Sequence, residues 1–210
     1  MKTRRIIFCS LGLILLISSC CDNKELGRIN FQQTDLEVNH YKGNETLRFT
    51  DNNGNIITFN GNWRKTNTIR TDGCADCCQD YYTVQSSDNT VFSSEYLNSM
   101  ISVNIANNFD EFTLKTNPSI NFSWSDHPNQ EKIENISYIA FPVNNFEDSA
   151  RSWNLYFENL NLRNKTFHNV IASVVSVNFS ERVYPDSLFY SISEGFVGIK
   201  FSDGNLLVKQ

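Results

Sequence analysis

From about residue 41 onward the chain is written in short runs of alternating apolar and polar residues, broken by Asn, Gly, Asp and Pro. Period-two alternation marks a strand with one dry face. Two runs fold back on themselves by register. In "ETLRFTDNNGNIITFNG" (45–61), a three-residue loop Asn52-Asn53-Gly54 sets Phe49 opposite Ile57 and Leu47 opposite Phe59, all four on one face. Gly54 stands where that loop type needs positive φ. In "GFVGIKFSDGNLLVKQ" (195–210), a two-residue Asp203-Gly204 turn of type I′ sets Phe201 opposite Leu206 and Ile199 opposite Val208.

Other inward sets follow the same rule. Ile101, Val103 and Ile105 form one, with Phe112 and Leu114 expected opposite them across a loop at Asn107–Asp110. Ile120, Phe122 and Trp124 form another, and Trp153, Leu155 and Phe157 a third. Trp63 continues the Ile57 and Phe59 face, so burial is expected for all three tryptophans. Residues 167–179 are apolar on both faces and read as a central strand. Helical periodicity is weak. The best stretches are 93–100, capped by Ser93 or Ser94, and 128–136. The predicted fold is all-β, an antiparallel meander forming a sandwich or a half-open barrel, with at most one or two short helices. One domain is expected over 41–210. A half-open barrel would leave an apolar concavity able to hold a lipid or small ligand.

Composition agrees. Aromatics reach 13%, with 16 Phe, which suits strands, and the apolar share supports a real core. The first 19 residues change the picture further. Lys2, Arg4 and Arg5 precede the apolar run Ile6–Ile17, and Ser18 and Ser19 precede Cys20. This is the layout of a secretory signal, and the run is shorter than the roughly 20 residues a membrane span needs. Ile17-Ser18-Ser19-Cys20 resembles a bacterial lipobox, which implies cleavage before Cys20 and lipidation of its sulfur. Residues 20–40 then read as a polar tether. Several acyl chains on one residue give stable anchoring. Beyond the signal, 15 basic side chains face 23 acidic ones, a net charge of −8. That balance speaks against nucleic-acid binding and against adhesion to anionic lipid by charge, leaving the acyl anchor as the membrane contact.

The tail Leu188–Gln210 carries Tyr190, Ser191, Gly195, Phe196, Val197, Gly204 and Leu206 in a spacing that resembles the ending of small outer-membrane lipoproteins of the Bacteroidetes type. The resemblance implies an envelope lipoprotein and no particular chemistry. Asp22 and Glu25, close behind Cys20, resemble the export signals of such proteins. Asp148-Ser149-Ala150 and Asp186-Ser187-Leu188 resemble their short O-glycosylation pattern, which would make Ser149 and Ser187 the acceptors.

Cys21, Cys74, Cys77 and Cys78 remain for other chemistry. Outside the cytoplasm a disulfide within Cys74–Cys78 is the first reading. Adjacent Cys77 and Cys78 point to opposite faces of a strand, so one is left over. Zinc would need a fourth ligand from His40, His127, His168 or an aspartate, and free thiols are the other alternative. His127 and His168 match no metalloprotease or serine-triad motif and read as structural. Glu95, Asp110, Glu111, Glu147 and Glu158 could serve glycoside hydrolysis only if two met across a cleft. No cofactor fingerprint is present. The sequence therefore predicts a non-catalytic binding or interaction module tethered in the envelope. The alternatives are a glycan-acting hydrolase or a carrier of lipid or a small ligand in a half-open β-barrel.

Overall fold

The structure, a computed structural model, describes residues 24–75, 79–110, 115–126, 135–175 and 183–210. Its strands are β1 (Lys24–Ile29), β2 (Thr46–Thr50), β3 (Ile56–Ala75), β4 (Gln79–Ser94), β5 (Ser99–Asp110), β6 (Lys115–Asp126) and β7 (Asn135–Ser137). They continue as β8 (Phe141–Pro142), β9 (Tyr156–Leu162), β10 (Lys165–Val174), β11 (Pro185–Ser191), β12 (Gly195–Phe201) and β13 (Leu206–Lys209). Two short helices join them, α1 (Gln33–Glu37) and α2 (Phe146–Ser152). Hydrogen-bonded neighbours run β7-β6-β5-β4-β3-β2-β13-β12-β11-β10-β9, with the last strand β13 joined to β2 where Val208 pairs with Thr50. The expected all-β antiparallel architecture is present as a curled half-barrel sheet.

The chain divides into two compact units. The described part of the smaller comprises residues 24–30, 68–75 and 79–85. In it β1 runs parallel to β4, from Lys24 opposite Tyr81 to Ile29 opposite Gln85. The expected tether at 20–40 is thus strand from Lys24 onward, and α1 follows within the second unit. The larger unit comprises 31–67 and 86–210. There the sheet curls until Tyr138 bridges Val175 and the Ile139 amide donates to the Val174 carbonyl at 3.1 Å. The concavity is filled by fully buried Tyr41, Phe49, Phe59, Phe92, Phe122, Phe141, Tyr190 and Phe196.

The first hairpin has the predicted register, with Phe49 opposite Ile57 and Leu47 opposite Phe59. Asp51 locks its loop by accepting from the amides of Asn53 at 2.9 Å and Asn55 at 2.7 Å. The second hairpin differs by one residue. Its loop is Ser202-Asp203-Gly204, closed by the Phe201 amide on the Asn205 carbonyl at 2.8 Å, with Gly204 at φ +87°. Ile199 therefore faces Leu207, and Val208 faces Gly198. Leu206, Leu207 and Val208 are all apolar and both faces of β13 are dry, so alternation could not choose the register.

Both faces are dry because the β9–β10 hairpin folds across the outside of β11–β13. Leu162, Phe167, Val170, Ala172, Phe189, Val197 and Val208 form a second buried cluster there. The hairpin tip is fastened by Arg163, which donates to the carbonyls of Thr50 at 3.1 Å and Leu206 at 2.7 Å. Lys165 adds a bond to the Lys209 carbonyl at 2.9 Å. Gly198 makes room: a Cβ there would stand 2.6 Å from Leu162 Cδ1.

Other expectations are corrected. Residues 93–100 form no helix but the tight turn Glu95–Asn98 between β4 and β5, where Asn98 takes φ +50°. β5 runs through the expected loop at Asn107–Asp110, so Ile101, Val103 and Ile105 face Trp124, Phe122 and Ile120. Phe112 and Leu114 lie outside the described residues, as does most of 128–136, whose end forms β7. Trp124 is buried as expected, but Trp153 is 49% and Trp63 43% exposed. Trp153 ends α2 and does not begin a strand. Trp63 yields the inward position to Arg64, which has a buried carboxylate to meet.

Candidate functional site

That carboxylate is Asp88, on β4 and fully buried. Arg64 Nε donates to both of its oxygens at 3.0 and 3.1 Å, and Nη2 approaches Oδ2 at 2.9 Å. Asn39 and Thr66 add bonds to the carboxylate at 2.8 and 3.1 Å. Arg64 also donates to the carbonyls of Leu36, Asn39 and Tyr41. Every oxygen and N–H that burial would otherwise leave bare is used, which is what a buried ion pair needs to be tolerated. The cluster clamps the segment behind α1 onto the sheet and leaves no reactive group free among its members.

The tail residues singled out in the sequence meet the same segment. Tyr190 donates to the Val38 carbonyl at 2.8 Å and accepts from the His40 amide at 3.2 Å. Tyr41 accepts from the Phe196 amide and packs edge-on against Phe92 and Tyr190. Gly195, at φ +76°, passes so close that a Cβ would stand 2.1 Å from the Tyr41 hydroxyl. Burial pushes the Tyr41 hydroxyl well above the usual phenol range, with the neighbouring Tyr190 adding to the effect. Burial also pushes Tyr190 up. Tyr190, Gly195 and Phe196 therefore act as a lock inside the core.

The other face of β4–β6 is of a different kind. Opposite the inward Val103, Ile105, Ile120 and Phe122, the strands present polar side chains in register. Asn89, Asn104 and Asn121 form one cross-strand row, and Ser102, Ser123 and Ser137 the next. Neighbouring strands stand about 4.8 Å apart, so each row repeats a polar group at that interval. Together the six residues line a crevice of about 340 Å³, none of whose eight lining residues is charged. Ser102 and Ser123 share a hydroxyl hydrogen bond of 2.7 Å, and Asn121 Nδ2 donates to Ser119 at 3.3 Å. Among the described residues the buried Oδ1 atoms of Asn89 and Asn104 have no hydrogen-bond partner.

The residues expected to carry chemistry fall elsewhere. Cys20, Cys21, Cys77 and Cys78 lie outside the described residues, and Cys74 is described only as backbone of β3. Ser149 is half-buried in α2, and Ser187 is half-buried in β11, where it donates to Asp186 at 2.8 Å. His168 is exposed and bonded to Asn159 at 2.7 Å, while His127 lies outside the described residues. Among the expected acids, Glu158 pairs with Arg151 at 3.2 Å. Asp51, held below the usual carboxylate range chiefly by the Asn55 side chain, and Glu45, held low by the Lys42, Gly43 and Asn44 amides against the opposing pull of burial, serve turns. Among the described residues no group of three or more His, Cys, Asp and Glu could hold a metal.

Neither the clamp nor the crevice was anticipated. The polar halves of the alternating runs held the signal for the crevice, since Asn104, Asn121, Ser102 and Ser123 stand at every second position. Fold and site together define an all-β protein with a filled core and one polar-faced sheet region. No family model matches the chain, and no curated protein or solved structure is significantly similar to it.

Proposed function

We propose that the protein is an envelope lipoprotein, held in the membrane through Cys20, whose β domain is a non-catalytic binding module. The anchor rests on the Lys2-to-Cys20 signal layout and the lipobox-like Ile17-Ser18-Ser19-Cys20. The binding role rests on one structural observation: the uncharged amide and hydroxyl rows on the outside of β4–β6. The aromatic filling of the curled sheet favours this reading over a lipid carrier, which would need an apolar hollow there. The structural bonds of Asp51, Asp88 and Glu158 favour it over hydrolysis by paired acids.

Intact mass spectrometry of the protein from native membrane tests the anchor. A mass for residues 20–210 plus acyl chains is expected, and Cys20→Ala should move the protein to the soluble fraction. An unacylated mass for residues 1–210 would refute it. Turnover of neutral or acidic oligosaccharides by the purified protein would refute the non-catalytic reading.

A further inference from the structure

We propose that the crevice on the outer face of β4–β6 is a site for a neutral, hydroxyl-rich ligand, in chemical terms an uncharged oligosaccharide. This rests on the binding-module reading and names its ligand class. Three observations carry it. The first is register: Asn89, Asn104 and Asn121 stand side by side on three strands, and Ser102, Ser123 and Ser137 stand beside them. Each amide offers two donors and an acceptor and each hydroxyl offers both roles, so six residues make a dense mixed array. Sugar hydroxyls are likewise donor and acceptor at once, and a repeating array matches a repeating ligand.

The second is charge. Acidic, basic and metal-bound ligands would each call for a formal charge in the lining. The eight lining residues carry none, although the chain has 23 acidic side chains to place. Its volume of about 340 Å³ lies at the lower end of the roughly 300–1,000 Å³ of small-ligand pockets.

The third is the unmet bonding. A purely structural amide ladder would bond along itself, each amide to the next. Here Oδ1 of Asn89 and of Asn104 go unpartnered while their neighbours' groups are engaged with serines. As placed both oxygens are shielded from solvent, and rotation that exchanges the oxygen and nitrogen of either amide presents an acceptor to a ligand's donors. Ser137 is exposed and Ser102, Asn104, Asn121 and Ser123 are half-exposed, so the rows can be reached from solvent.

The test is an NMR titration of the full chain in a detergent without a sugar headgroup. It follows the side-chain amides of Asn89, Asn104 and Asn121. Probes are cellotetraose, maltotetraose and N-acetylchitotetraose, with tetragalacturonate as the charged comparison. At least one neutral probe should shift these amides saturably, and tetragalacturonate should bind at least tenfold more weakly. Asn104→Leu should weaken binding tenfold or more. Because Asn104 sits within the sheet, Ser137→Ala on the exposed rim is the second variant, expected to weaken binding several-fold with an unchanged backbone spectrum. Amides unmoved by every neutral probe at about 10 mM would overturn the proposal. So would equal binding by either variant. Shifts confined to another face would overturn this site while leaving the binding-module reading standing, whereas cleavage of a probe would overturn both.

Discussion

The two halves of the curled sheet use the same strand chemistry to opposite ends. On β5 and β6 the inward positions Ile101, Val103, Ile105, Ile120, Phe122 and Trp124 are apolar, and the outward Ser102, Asn104, Asn121 and Ser123 are polar and half-open to water. On β10–β13 both faces are apolar, and the β9–β10 hairpin seals the outer one with a second core. Sealing takes a long hairpin, an arginine clasp at Arg163 and a glycine at position 198. Leaving a face open takes only polar residues at alternate positions. The open half keeps polar groups at its surface, and the sealed half buries its outer face in a second core.

The sharpest break of this contrast is one charge placed on each outer face. Val197 is fully buried in the second cluster, so Val197→Lys should cost more than about 4 kcal/mol, enough to unfold a marginal domain. Val91 is half-exposed on the outside of β4, so Val91→Lys should stay within about 0.5 kcal/mol. Urea unfolding of the two variants reads both values. Next in size is the clamp. Arg64→Ala strands the buried Asp88 and should cost about 3–5 kcal/mol, measured the same way. Leu162→Ala removes the side chain that fills the gap at Gly198 and should cost about 2–4 kcal/mol. That loss should appear with faster amide exchange in β9 and little change in β5.

The smallest effects are those of pH. Tyr41, Tyr138 and Tyr190 are pushed above the usual phenol range, chiefly by burial. Unfolded phenols ionise near pH ~10 and shed protons first, so stability should be full below about pH 10 and fall as pH rises beyond it. Asp51 and Glu45 are held low, so their contribution is present above about pH 4–5 and is lost as pH falls through their folded values. Thermal unfolding across pH 2–12 should therefore show a plateau with an acid and an alkaline edge.

The same contrast explains what the sequence made legible. Where one face is wet, alternation fixed the inward residues correctly, as at Ile101, Val103, Ile105, Ile120, Phe122 and Trp124. The first hairpin was also legible, because a one-residue slip would expose Phe49 and Phe59. Where both faces are dry the pattern carries no register, and the β12–β13 pairing slipped by one at Leu206, Leu207 and Val208. Trp63 and Trp153 were misplaced because apolar bulk alone says nothing of a buried ion pair next door or of a helix end. The crevice escaped notice because its residues bear no charge and no reactive atom. Only the pairing of three strands makes rows of them.

The most direct measurement is solvent paramagnetic relaxation of methyl groups with a soluble gadolinium chelate. The methyls of Val197 and Val170 should be as protected as those of Val103, while Val91 relaxes strongly. Equal enhancement at Val197 and Val91 would mean that the outer face of β10–β13 is not sealed, and the division of the sheet into a closed and an open half would be wrong.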